Sequence, residues 1–241
     1  MSGRPDWLRA IEAVLPEVTA DQLTRTRPPA ERERTRAAAV LILFGGTADA
    51  GDLLLIERAA TMRSHPGQVA FPGGAVDPGD DGVISAALRE AREETRLDPA
   101  GVEVLGTLPE LYLPPSRFLV TPVVGWWREP GEVAVGDPAE VARVARVPLD
   151  ALLDPANRWT VRHPSGFVGP AFTVDGLFVW GFTAGLLSRL LAVAGLERPW
   201  DVERVHPLPA RYAVAGQRER VLDEDLQADV VEDYEPGEVQ P

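Results

Sequence analysis

Phe71-Pro72-Gly73-Gly74, the acidic loop Asp77 to Asp81, and Arg89-Glu90-Ala91-Arg92-Glu93-Glu94 form one connected stretch of this 241-residue chain. The apolar pattern from Gly82 to Arg96 is helical, with Val83, Ala86, Ala87, Ala91 and Leu97 able to face inward, and Pro99 stops it. On a helix, positions i, i+3 and i+4 share a face, so Glu90, Glu93 and Glu94 converge. Converging carboxylates repel unless something offsets them, and a hard divalent cation, which prefers oxygen ligands, does so. An isolated string of this kind also suits a solvated helix face, since Glu and Arg are good helix formers. The context favours a site. The short run Gln68 to Phe71 reads as a strand ended by Pro72-Gly73-Gly74, and an acidic loop leads into the helix. Strand, glycine-rich loop and acidic helix together offer backbone N–H groups and metal to grip phosphates. Arg89 lies one turn before Glu93 and can pair with it, holding the ligand geometry.

Outward from this stretch, Ala37 to Phe44 and Leu53 to Ile56 read as strands joined through Gly45-Gly46 and Asp49 to Asp52. Further strands are expected at Val102 to Leu108, Leu119 to Trp127 and Val141 to Val147, with a short helix over Pro148 to Leu153. A late set follows at Trp159 to Val161, Ala171 to Val174 and Leu177 to Val179, and Gly181 to Val193 is expected to close the domain as an amphipathic helix. Near the start, Trp7, Leu8, Ile11 and Leu15 are spaced for one helical face, with Asp6 a candidate cap. The Arg/Glu/Pro-rich segment 25–36 reads as an extended connection. Strands and helices mix without strict βαβ alternation, so the expected fold class is α/β (α+β), an α/β/α sandwich with a mixed sheet. The expected organisation is an N-terminal helix and connection over 1–36, a main domain over 37–220, and an acidic tail over 221–241.

Composition bounds the function. An apolar fraction of 45% supports a sizeable core, and the absence of cysteine excludes disulfides and thiolate metal sites. The net charge is −13, and the segment 221–241 supplies −8 of it with Tyr234 as its one aromatic residue, which reads as a solvated, disordered tail. Overall acidity argues against non-specific nucleic-acid binding, which needs a basic surface. No apolar run is long enough for a transmembrane helix, and the N-terminus lacks the apolar core of a secretory signal, so no membrane partner and a cytoplasmic home are expected.

The stretch from Gly74 to Leu97 resembles the signature of the Nudix hydrolases, which ends in Arg-Glu-apolar-x-Glu-Glu-x-Gly-apolar. Here Arg89-Glu90-Ala91-Arg92-Glu93-Glu94-Thr95-Arg96-Leu97 fills that place. The loop is one residue longer than the standard signature, its early Glu falls at Asp80 or Asp81, and Arg96 replaces the usual Gly. Leu54-Leu55-Ile56-Glu57-Arg58-Ala59, then Arg63, Gly67 and Phe71-Pro72-Gly73-Gly74, resemble the motif that precedes the box in coenzyme A pyrophosphatases, with Ile56 where that subfamily usually has Thr. That subfamily carries the longer box as well. The string Leu177 to Ala184 is similar to its closing helix. The resemblance covers roughly residues 37–195.

The resemblance implies an α/β/α sandwich and a pyrophosphohydrolase that uses Mg²⁺ or Mn²⁺ held by Glu90, Glu93 and Glu94. It implies coenzyme A as the small-molecule substrate, split into 3′,5′-ADP and 4′-phosphopantetheine by a monomer or homodimer. Glu93, Glu94 and Arg89 would serve catalysis. Arg58 and Arg63 would hold phosphates, for which a planar guanidinium suits, and Gly73 and Gly74 would near them. Glu140, just before a predicted strand, would add a further carboxylate as metal ligand or general base, with Glu110 a weaker candidate. An exposed loop acid is the competing reading of Glu140, and plain surface charge that of the two arginines. His65 reads as structural or solvent-facing, and Trp126, Trp127, Trp159 and Trp180 as core more readily than as adenine platforms. Pro114-Pro115-Ser116 suggests a rigid loop at the sheet end. Two other functions compete. One is a Nudix enzyme acting on ADP-ribose or another nucleoside diphosphate derivative. The other is a non-catalytic nucleotide-binding module, against which the full set Arg89, Glu90, Glu93 and Glu94 counts.

Overall fold

The computed structural model describes residues 4–29, 35–62, 64–114 and 116–212. The acidic segment 221–241, Arg63 and Pro115 lie outside the described residues. The central strand β1 (Arg36–Gly46) is flanked by β2 (Gly51–Arg58), antiparallel, and β7 (Phe118–Trp127), parallel. The larger sheet continues through β3 (Val69–Ala70) and β8 (Val141–Pro148) on β2, β4 (Gly73–Ala75) on β1, and β5 (Val102–Thr107) and β6 (Leu111–Leu113) on β7. One parallel pair among antiparallel ones makes it a mixed sheet.

β1 is a near-continuous apolar run because both of its faces are covered. Leu41 and Leu43 turn toward helix α3 (Val83–Thr95), where Ala86, Ala87 and Ala91 are fully buried. Ile42 and Phe44 turn the other way, toward Leu8 and Ile11 of α1 (Asp6–Val14) and the leucines of α5 (Gly181–Val193). The expected sandwich is present, with a helix layer on each side of the sheet. Each fully buried leucine in these layers contributes roughly 1.5–3 kcal/mol. The small alanines of α3 let that helix sit close to β1, which matters for the site.

The late strands form a second sheet of their own. β9 (Arg158–Arg162) pairs with β10 (Val168–Val174), and β10 with β11 (Leu177–Val179), through a turn in which Asp175 and Gly176 both have positive φ. A short strand β12 (Val205–Pro207) returns parallel to β9. The fully buried Arg158 locks this return: it donates to Ser188 Oγ at 2.7 Å and Glu197 Oε1 at 2.6 Å, between the Phe172 and Trp200 rings.

Several local expectations need correction. Pro5, not Asp6, stands at the α1 N-cap; Asp6 is already helical and pairs with Arg9 instead. Residues 73–75 are a strand paired with β1 rather than a free turn. Helix α2 (Ala20–Leu23), β6 and β12 were too short to show a period; α2 is marked by Thr19 N–H donating to Gln22 Oε1 at 2.8 Å. Among the described residues no helix is long and apolar enough to cross a membrane.

Arg96 ends α3 in the left-handed conformation, φ 56°, with its N–H on the Arg92 carbonyl at 2.9 Å. Glycine adopts that conformation without a Cβ penalty. Arg96→Gly should therefore raise the unfolding free energy by about 0.5–1 kcal/mol in chemical denaturation. A loss of stability would show that the Arg96 side chain does more than end the helix.

Candidate active site

The site forms where α3 crosses β4 and the start of β1. Gly73 pairs with Val40 and Gly74 with Ala39. A Cβ at Gly73 would stand 2.3 Å from the Ala39 carbonyl oxygen, and one at Gly74 would stand 2.5 Å from the Glu90 carboxylate. The two glycines are thus required by close packing, Gly73 against strand β1 and Gly74 against an α3 carboxylate. The Gly73 N–H donates to Glu94 Oε2 at 2.9 Å, so in this state it serves the protein's own carboxylate rather than a phosphate.

The three helix glutamates do not share one environment. Glu94 is 4% exposed, and burial pushes its carboxyl up to about 8. The Gly73 hydrogen bond and the Arg58 charge oppose that rise, while the charges of Glu90 and Glu140 add to it. Glu90 is half-buried and also raised, by burial first, against the pull of Arg89 and with Glu93 and Glu140 pushing the same way as burial. Glu93 is exposed. Glu140 acts on both Glu90 and Glu94, and Arg58 on Glu94, so these four charges lie near one another.

Arg89 organises the near side. Its Nε and Nη2 donate to Asp80 Oδ1 and Oδ2 at 3.0 and 3.1 Å, a bidentate pair, and Nη2 also donates to the Ala75 carbonyl at 3.1 Å. Its Nη1 donates to Glu90 Oε1 at 3.0 Å and to Glu93 Oε2 at 3.1 Å, as the helical spacing predicted for the latter. The guanidinium holds the Asp80 carboxyl below the usual carboxylate range, and Asp77 N–H steadies Asp80 Oδ2 at 2.8 Å. Of the two loop acids left open by the longer box, Asp80 is therefore the one that pairs with Arg89, while Asp81 is exposed.

Glu140 lies just before β8, and its charge bears on Glu90 and Glu94. Its carbonyl accepts from Ala59 N–H at 2.8 Å, one residue past Arg58. Arg58 ends β2 with its Nε buried and without a hydrogen-bond partner. Glu110 lies on the connection from β5 to β6. Trp127 is buried under Arg146, Trp126 lies beneath Arg4, and Trp159 and Trp180 belong to the outer cluster of the second sheet, with Phe178 and Tyr212. The contribution of Gly136, whose N–H caps the Glu94 carbonyl at 3.0 Å, had no periodic signal in the sequence.

Among the described residues no three carboxylate or imidazole side chains are gathered at metal-binding distance. The donors nonetheless suit a hard divalent cation in chemistry. All are oxygen, their summed charge is negative, and Glu94 is a buried carboxyl that becomes an anion readily only beside a cation.

A NUDIX domain matches residues 33–166. The protein of Citrobacter koseri named Uncharacterized Nudix hydrolase NudL is 39% identical over 199 residues, which is 80% of this chain and 95% of its own. Its namesake in Cronobacter sakazakii is 41% identical over 185 residues, 74% of this chain and 92% of its own. Among solved structures, the Nudix hydrolase RenU from M. smegmatis aligns over 70% of this chain and 90% of its own, with a TM-score of 0.49 and 22% identity. With a domain match over more than half of its length and relatives near 40% identity across almost their whole chains, this protein belongs to the Nudix family and is a hydrolase acting on pyrophosphate bonds.

Proposed function

We propose that the enzyme hydrolyses the pyrophosphate bridge of coenzyme A or its derivatives, releasing 3′,5′-ADP and 4′-phosphopantetheine. The observation that carries this reading is Arg58. It is the first arginine of the motif that precedes the box, its charge acts on Glu94, and its buried Nε lacks an acceptor. A phosphate oxygen would complete that donor in a charge-assisted bond. Coenzyme A brings three phosphate groups, and Arg63 from the same motif would take a second contact.

Glu90, Glu93 and Glu94 would hold Mg²⁺ or Mn²⁺. A divalent cation there would offset carboxylate charge and draw electron density from the phosphoryl oxygens. Arg89 orients two of the three glutamates through one nitrogen and is itself fixed by Asp80 and the Ala75 carbonyl. The Gly73 N–H fixes the third. Glu140 would accept the proton of the attacking water, and Arg58 would orient the substrate beside it. The leaving group is a phosphate monoester, which departs as an anion and needs no further proton donor at neutral pH. A location in the cytoplasm suits such a substrate.

Glu94→Gln should abolish most turnover while the fold persists, because the amide supplies no anionic oxygen. Loss of a metal ligand is expected to cost on the order of 10³-fold or more in kcat, and Glu93→Gln is expected to behave alike. Wild-type turnover by either variant at saturating metal would remove these residues from the metal set.

Substrate choice is tested on a panel of pyrophosphates with Mg²⁺ and Mn²⁺, with products identified by mass. Coenzyme A should be preferred over ADP-ribose, which shares the pyrophosphate and lacks the 3′-phosphate. Arg58→Ala or Arg63→Ala should cost roughly 1.5–3 kcal/mol in kcat/KM for coenzyme A if that side chain holds the 3′-phosphate, and much less for 3′-dephospho-coenzyme A. Equal losses on both substrates in both variants would assign the arginines to the pyrophosphate or the loop, and ADP-ribose would become the leading substrate.

A further inference from the structure

The last turn of a helix leaves carbonyl groups without intrahelical partners. In α3 these include the carbonyls of Glu93 and Glu94, and the loop 134–140 satisfies two last-turn carbonyls, those of Glu94 and Thr95. Ala134 N–H donates to the Thr95 carbonyl and Gly136 N–H to the Glu94 carbonyl, each at 3.0 Å. The loop lies so close that a Cβ at Gly136 would stand 1.6 Å from the Glu93 carbonyl oxygen, 2.8 Å from its carbon and 3.1 Å from the Glu94 carbonyl carbon. All three are backbone atoms and cannot swing aside as a side chain would.

From Gly136 the chain enters a tight turn. The Asp137 carbonyl accepts from Glu140 N–H at 3.1 Å and from Val141 N–H at 2.9 Å, and Asp137 Oδ1 accepts from Ala139 N–H at 2.8 Å. The turn ends at the Glu140 carbonyl, held by Ala59 N–H. The loop is therefore fastened at one end to the helix that carries Glu90, Glu93 and Glu94, and at the other to the strand end that carries Arg58. Between these two fastenings there are three residues, too few for slack. The Glu140 charge is felt at both Glu90 and Glu94, as that geometry requires.

We propose that Gly136 is a positioning residue: by letting the 134–140 loop lie directly on the last turn of α3, it sets the Glu140 carboxylate at its working distance from the carboxylates of that helix. The inference rests on the role given to Glu140 above. A larger residue at 136 lifts the loop, breaks the bond to the Glu94 carbonyl and moves Glu140 away from the attacking water. Substrate contacts from Arg58 stay in place.

The test is a double-mutant cycle on the full chain with Gly136→Ala, Glu140→Gln and both together. It reads kcat, KM and melting temperature on whichever pyrophosphate the wild type cleaves. Glu140→Gln should cost about 10²-fold or more in kcat, the lower range for a positioned proton acceptor. Gly136→Ala should cost about tenfold or more in kcat with KM within about twofold, and less than about threefold further when Glu140 is already Gln, since residues acting through one contact are not additive. Losses that multiply in the double variant would overturn the proposal by placing the effect of Gly136 in the helix or the fold, and so would wild-type kcat in Gly136→Ala. Should Gly136→Ala not fold, Ala134→Pro removes the neighbouring N–H without filling that space, and the same criteria apply. Wild-type kcat in Glu140→Gln alone would overturn the role of Glu140 and this proposal with it. The substrate panel on the wild type judges the coenzyme A reading separately.

Discussion

The close approach of α3 to the β1–β4 pair, sealed by the Gly73 N–H on the Glu94 carboxyl, is the constraint on which the site depends. It exists because Ala86, Ala87 and Ala91 give α3 a thin face, because Gly73 lets β4 lie close on β1, and because Gly74 presents almost no bulk to Glu90 of α3. The approach buries Glu94, and burial raises its carboxyl to about 8. The raised folded-state value means that the cation-free fold favours the protonated group. The contribution of Glu94 to stability is fully present below the ordinary carboxyl range, and it is lost as pH rises from there through about 8. Such a group weakens the fold in the working pH range unless a cation joins it. A cation bound beside Glu94 would recover that loss.

Arg58 offsets part of that loss at Glu94, and Arg89 offsets the like effect at Glu90. Arg89 sits among Asp80, Glu90 and Glu93, and its strongest geometry, the bidentate pair, is with Asp80 on the loop rather than with either helix glutamate. The arginine therefore acts as a strut between the acidic loop and α3, and the glutamates accept from the one nitrogen that remains. An Arg-to-Lys change would lose the fork and the strut together. Arg58 and the loop 134–140 are tied together at Ala59, so the arginine and Glu140 share one support.

Much of this was legible in the sequence. The apolar run of β1 and the alanine spacing of α3 gave their elements directly, because both depend on burial, which hydrophobic pattern reports. The i, i+4 relation of Arg89 and Glu93 was readable from helical geometry alone. What escaped detection depended on backbone contacts between segments distant in sequence. Nothing local shows that Gly73 and Gly74 answer to β1 and Glu90, or that Gly136 lies on the end of α3. The divergence of Glu93 from Glu94 was hidden for a related reason: helical spacing says which residues share a face, and only the neighbouring strand decides which of them is covered. Three strands of the second sheet were readable; that they form a sheet of their own, completed by β12 pairing parallel to β9 after α5, was not, because pairing between sheets leaves no local pattern.

If Glu94 helps to hold a divalent cation, equilibrium binding of Mn²⁺, followed by electron paramagnetic resonance in the absence of substrate, will register it. The wild type should bind Mn²⁺, and Glu94→Gln, folded to the same degree, should bind it at least about tenfold more weakly. Equal affinity in the two proteins would contradict that role of Glu94.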